Sequence, residues 1–451
     1  MMTKTMPLKL IAPAAVLILC GTALAAQFSG AQALPESAGV RRNLTDWFTL
    51  PLEELRGRPP EERRTDRGEV FQVRLEERGG VFDVIVAPRE VVKLDVYSDD
   101  GIFSEMDAVF TADNPGGWIL TRDSATGRPL SVVIHFAGDR QVFARFTPGK
   151  KGCDGELVIF GARAARGVET GVPFERLYTA SFQDIQKWTP TIPWQYAGAS
   201  PSLYEGCAQM IGVIRSNARR FVPAKDACYD ETGEPISILT GEKRPRSEGE
   251  LQGNKLFFSD AGFLKWIVDG LVAPITQGYT MLAPLTRPTV AYKPGGYQGG
   301  IAERYNISFS LDWTRNLASA AAAAKTGRSQ RGFIPGVDVV YEPFALADET
   351  THIKDAGYPA GGLYPLLYVL AVMRPDEFYL AAVRESDNSV PPVRFFSRCA
   401  VIFPYFDASG RFQGVVFENG EEMSLEDFIG RCKNDTIHLT KVEASTRFFP
   451  Q

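Results

Sequence analysis

The side chains best able to do chemistry in this chain are few and scattered. Its three histidines, His135, His352 and His438, are widely separated, and no CxxC or Cys/His spacing of a zinc site occurs. A thiol nucleophile needs a neighbouring base and a lowered pKa. Cys399 has Arg398 beside it but lies between apolar neighbours in a strand-like run, and reads as a small core residue. Cys153, Cys207, Cys228 and Cys432 likewise read as free, partly buried thiols, with a Cys207–Cys228 disulfide as the alternative open to an exported chain. Two clusters remain. Asp312-Trp313-Thr314-Arg315-Asn316 brings a carboxylate, an indole and a guanidinium to a strand-to-helix junction, where ligands are commonly held. Asp312, Trp313 and Arg315 would suit a sugar or a peptide. The plainer reading has Asp312 or Thr314 capping the helix and Trp313 packing. Ser259-Asp260 opens another helix, whose dipole favours a first-turn carboxylate by about 0.3 to 1 kcal/mol. No cofactor motif is present: the glycine-rich run 295–300 lacks the strand and helix that a phosphate loop requires.

The elements that must position these residues change character along the chain. Residues 34–67, rich in Pro, Arg and Glu, read as a surface lead-in. From Glu69 the pattern has period two, with Phe71, Val73 and Leu75, then Phe82, Val84 and Val86 after the Gly79-Gly80 turn. Further short strand-like runs to Phe160 predict an antiparallel β-sandwich over 68–165. Residues 166–254 read as a helical connector, with Ser181 and Ser202 as caps, running into a long Pro/Gly-rich loop. From 255 to 451 the expected order is a helix from Asp260, a strand over Tyr305–Trp313, and an Ala-rich helix over Thr314–Lys325. A helix from Pro365 follows, then strands at 378–383, 395–406, 411–418 and 436–443, with a capped helix after Ser424. The fold class is therefore α+β, with the later strands forming one antiparallel sheet packed on the helix from Asp260.

The first 33 residues have the anatomy of a secretory signal. Lys4 and Lys9 precede an uncharged stretch from Leu10 to Ala26, broken by Pro13 and Gly21, and Ala23-Leu24-Ala25 and Ala31-Gln32-Ala33 both fit signal-peptidase sites. Cys20-Gly21 offers a lipoprotein reading, which the bulky Leu19 disfavours. Periplasm or cell envelope is the expected location, and no later segment has the length and apolarity of a membrane span. A net charge of −5 argues against nucleic acid as a partner, because its phosphates demand a basic surface.

Asp260-Ala261-Gly262-Phe263-Leu264-Lys265-Trp266 resembles the nucleophile segment of the NlpC-type cell-wall cysteine peptidases, where Asp-Cys-Ser-Gly-Phe opens a helix. The order of helix and antiparallel strands over roughly 255–445 is also similar to that papain-like family, with insertions. The resemblance implies a nucleophile position at Asp260 and a general-base position at Arg398 on the strand through Ala400-Val401-Ile402. Neither residue can do the implied work: a carboxylate is a poor substitute for a thiolate, and a guanidinium with a pKa above about 12 cannot act as a base. A degenerate site would keep the signs of the charges, so Asp260 and Arg398 are expected to face each other across the former cleft, in contact directly or through one water. The reading that follows is a non-catalytic envelope protein binding cell-wall peptide, glycan or another envelope protein. An active hydrolase using Cys399, or a carboxylate with Asp312, and a purely structural assembly module are the alternatives.

Overall fold

The computed structural model describes residues 34–98, 101–290, 307–344, 350–386 and 393–450. Strands β1 (Glu61–Arg64), β2 (Val70–Arg78), β3 (Val81–Ser98), β4 (Gly101–Phe110), β5 (Trp118–Asp123), β6 (Pro129–Ile134), β7 (Val142–Gly149), β8 (Gly152–Ile159) and β9 (Ala162–Glu169) form one nine-stranded sheet. All neighbours are antiparallel. The alternation works as expected: Phe71, Val73, Phe82 and Val84 are at most 1 % exposed, because successive strand residues face opposite sides and only one side meets the core. The strands hydrogen-bond as a single continuous sheet, not as two separate leaves. β3 is the long member. Its first half lies between β2 and β5, whereas Arg89–Ser98 pairs with β4 alone.

The stretch 34–67 is no surface lead-in. It forms helices α1 (Ala38–Arg41), α2 (Thr45–Thr49) and α3 (Leu52–Leu55), which bury Val40, Leu44, Trp47, Phe48, Leu52 and Leu55. Phe48 meets Trp118 of β5 at 4.9 Å between ring centroids. The apolar residues sit at helical spacing, but short helices rich in Pro and Arg carry a weak periodic signal. Helix α4 (Phe182–Trp188) begins at Ser181 with a reciprocal capping box to Asp184, which closes two orphan backbone donors. Helix α5 starts at Glu205 and runs to Asn217, after a 3₁₀ turn over Pro201–Tyr204. Ser202 therefore does not cap it.

The second half is built on a six-stranded antiparallel sheet. In spatial order it contains β14 (Tyr358–Pro359), β19 (Thr436–Glu443), β15 (Glu377–Ser386), β16 (Arg394–Phe406), β17 (Phe412–Glu418) and β18 (Glu421–Ser424). Short strands β10 to β13 and helix α6 occupy 221–258. Helix α7 (Asp260–Thr276) packs on β16, capped by Ser259 and buried on nearly every side from Ala261 to Val272. Its one internal ion pair, Lys265–Asp269 at 2.6 Å, is sealed by Thr280, whose backbone N–H and hydroxyl both donate to Asp269. After α8 (Leu282–Leu285), helix α9 (Phe309–Lys325) crosses β15, β16 and β19. It starts at Phe309, so the strand expected through Trp313 is a turn at 307–308 and a helix beyond; Tyr305 lies outside the described residues. Phe309 and Trp313 stack at 5.6 Å, one helical turn apart. Helix α10 (Leu363–Met373) also packs on β16, and α11 (Leu425–Arg431) is capped by Ser424. Among the described residues no helix is long and apolar enough to cross a membrane.

Candidate functional site

The three residues nominated on α9 turn inward. Asp312 accepts from the Thr289 backbone and hydroxyl at 2.7 Å each and from Ser308 Oγ at 2.8 Å. Trp313 is fully buried and donates its Nε1–H to the Ala261 carbonyl at 2.9 Å. Arg315, 4 % exposed, forks onto Asp338 at 3.0 and 2.7 Å and reaches Asp355 at 2.8 Å. Burial disfavours the Asp338 carboxylate, but the His438 ring at 3.6 Å and the hydrogen bonds from Arg315 outweigh it and hold its pKa down at about 2. These side chains fasten the loops around α9 to the sheet. They do not line an open site, because the helix begins a turn earlier than expected and places them inside the core.

The helix from Asp260 does meet the strand bearing Arg398, but not side chain to side chain. Asp260 Oδ2 accepts the backbone N–H of Cys399 at 2.7 Å, and Oδ1 accepts that of Ala261 at 2.8 Å. Strand pairing between β16 and β17 ends at Val401–Phe417, so the carboxylate takes up an N–H that β17 no longer reaches. Arg398 bonds Glu418 at 2.8 Å and lies 3.5 Å from Cys432 Sγ, at the end of α11. Of the contacts expected between Asp260 and Arg398, the direct one is thus not made. Arg398 and Cys399 are consecutive strand residues and face opposite sides. Cys399 shares its face with His438, since both are paired with Ala382 of β15.

That pairing also sets the separation of the remaining thiol and imidazole. Two strand spacings, roughly 9 to 10 Å of backbone, lie between Cys399 and His438. A working pair needs about 2.6 to 3.2 Å between heavy atoms. Burial pushes the Cys399 thiol well above its ordinary range and the Cys228 thiol up to about 12, the opposite of nucleophile activation. All five described cysteines are free and buried, Cys207 and Cys228 among them. Among the described residues no group of three or more His, Cys, Asp and Glu is placed to hold a metal ion.

An open cleft lies elsewhere. A cleft of about 580 Å³ is walled by residues 34–41, the start of β5, the end of β6 with the residues up to Gly138, helix α4, the 197–201 segment and the 408–410 turn between β16 and β17. Its size falls within the range of about 300 to 1,000 Å³ usual for small-molecule sites. Close backbone approaches shape it. A side chain at Gly138 would come within 2.2 Å of the Gly410 carbonyl, and one at Gly116, where φ is +92°, within 2.6 Å of that of Pro35. Glycine is required at both places. At the floor, Arg41 spends its donors on Ser37 and the carbonyls of Leu177, Tyr178 and Ala180, at 2.7 to 3.1 Å, and on Glu36 at 3.4 Å. Burial lowers its pKa to about 10, which leaves it charged at neutral pH. Phe182 and Gln186 of α4 line one wall, one helical turn apart.

The cleft is not legible in the sequence, because its walls come from six distant segments, around residues 34–41, 116–118, 134–138, 182–186, 197–201 and 408–410, that no spacing links. The glycines at 116–117, 138, 198 and 410 meet only in the fold, so their spacing along the chain offers no signal. Residues 30–196 match a family model described as a domain of unknown function, DUF8515. That stretch contributes most of the cleft's wall segments. No curated protein and no solved structure matches the chain.

Proposed function

We propose that this chain is an exported cell-envelope protein that binds cell-wall glycan or peptide without cleaving it, and that the cleft between the nine-stranded sheet and the 408–410 turn is the binding site. The carrying observation is the cleft itself, about 580 Å³ open between walls shaped by close backbone approaches at Gly116 and Gly138. Export is supported by the signal-like segment at residues 1–33. The non-catalytic part is supported by the described thiols, all buried, and by Asp260, which occupies the helix start as a backbone acceptor for Cys399.

The test is cosedimentation of the purified mature chain with peptidoglycan sacculi, followed by mass spectrometry of the released material. Retention on sacculi, lost in Ala408→Trp, with no new muropeptide in the supernatant is the expected result. Ala408 is exposed on the cleft-lining turn, so an indole there fills the opening without entering the core. Specific cleavage products would refute the non-catalytic account. Retention unaffected by Ala408→Trp would move the binding site elsewhere.

A further inference from the structure

The polar groups of the cleft restrict what can occupy it, and this deepens the proposed function by choosing among its ligands. Glu36 and Arg41 are the only charged residues lining the cleft among the described residues. Arg41 has five N–H donors, and all five are engaged: Nε with Ser37, Nη1 with Leu177 and Tyr178, Nη2 with Glu36 and Ala180. It is 2 % exposed and lies over the Trp118 ring at 5.1 Å, so no donor is left to meet an incoming anion. The Glu36 carboxylate is also engaged, accepting the backbone N–H groups of Ala38 and Phe182 at 2.8 Å each, besides Arg41. The two charges offset one another, and His135, which also lines the cleft, is kept uncharged at neutral pH because burial lowers its pKa, so the wall as a whole is neutral.

What remains open is apolar surface and uncharged hydrogen-bonding capacity. Phe182 stacks its ring on Phe136 at 4.7 Å and is only partly buried. Four residues on, the Gln186 side chain makes no hydrogen bond among the described residues and is half-buried at the cleft. Its amide can donate and accept at once. An aromatic ring one helical turn from a free carboxamide, in a neutral cleft, suits a ring with C–H surface on one side and hydroxyl or amide groups around its rim. A carboxylate-bearing peptide would lose its hydration there and gain no cation in return.

We infer that the cleft binds an uncharged saccharide, packed on Phe182 and hydrogen-bonded by Gln186, in preference to acidic peptide. The inference rests on the cleft being the binding site. The test is isothermal titration of the mature chain with the N-acetylglucosamine disaccharide and, separately, with a tetrapeptide carrying two carboxylates. The disaccharide should bind, with an affinity that changes less than about twofold between 50 and 500 mM salt, since no charge pair forms. Gln186→Ala should weaken it by about fivefold, the scale of one hydrogen bond, and Ala408→Trp should abolish it. Binding of the acidic tetrapeptide but not the disaccharide, still blocked by Ala408→Trp, would overturn the saccharide inference while leaving the cleft as the site. Binding of neither probe, or binding indifferent to Ala408→Trp, would overturn both.

Discussion

Arg315 carries its charge into a nearly dry setting between α9 and the second sheet. Its guanidinium fork matches the Asp338 carboxylate, and its Nη2 also holds Asp355 and lies 3.4 Å from the His438 ring. Removing one partner of such a group leaves the others charged and uncompensated, which costs more than the pair contributes when intact. Arg315→Met is therefore expected to destabilise the protein by about 3 to 5 kcal/mol in urea unfolding. Arg315→Lys should recover only part of that, since an ammonium cannot make the bidentate contact. A loss under about 1 kcal/mol for the Met variant would show that Asp338 and Asp355 find solvent instead. At this scale the sequence was partly informative. The cluster at 312–316 was noticeable because charged and aromatic residues stand together, but the partners that settle its role, Asp338, Asp355 and His438, come from distant segments that no spacing links to it.

Elements show a similar division. Period-two alternation from Glu69 onward and the caps at Ser181, Ser259 and Ser424 are local signals, and the corresponding strands and helices stand where those signals put them. Residues 309–313 misled because Phe309, Leu311 and Trp313 alternate as in a strand, while Phe309, Trp313 and Leu317 also repeat as in a helix. Tertiary packing against Ala261 and the sheet decided for the helix. The joint between α7 and β16 was legible as a meeting of two elements but not as a contact, because Asp260 finds a backbone group and not a side chain. Asp260→Ala would leave the Cys399 N–H buried without an acceptor, at a cost of about 1 to 3 kcal/mol. Asp260→Asn keeps a carbonyl oxygen for that N–H and should cost less in the same unfolding experiment; equal losses would mean that the charge matters more than the hydrogen bond.

Across the whole molecule the two sheets are tied together. Phe160, at the β8–β9 turn, packs on Tyr364, Tyr368 and Phe412 at 4.5 to 6.1 Å. Asp139, just after the cleft-lining Gly138, accepts the Phe412 N–H at 2.8 Å. Burial raises the Asp139 pKa to about 6, above its ordinary value of 3.8. A carboxyl group that is a stronger proton acceptor when folded stabilises the protein fully below pH 3.8, and the contribution is lost as pH rises through about 6. Asp139→Asn keeps an acceptor for Phe412 and removes the titration. The variant should match the parent near pH 4 and exceed it at pH 7.5 by on the order of 2 kcal/mol. Unchanged pH dependence between 4 and 7 in the variant would show that Asp139 does not titrate at the junction.

The long strand β3 lives in two environments. Residues 81–86 are held between β2 and β5, whereas beyond Arg89 the only partner is β4, which itself has no second neighbour among the described residues. A two-stranded ribbon is marginal in water by itself. One covalent strand should therefore record two different stabilities in deuterium uptake. Amides of 81–86 are expected to exchange only when the whole molecule opens, and those of Val91–Val96 and Phe103–Val109 through separate, far cheaper openings. Protection that is uniform along β3 would mean that something else holds the ribbon in solution. The boundary near Arg89 is thus where the cooperative unit ends, although the strand itself continues.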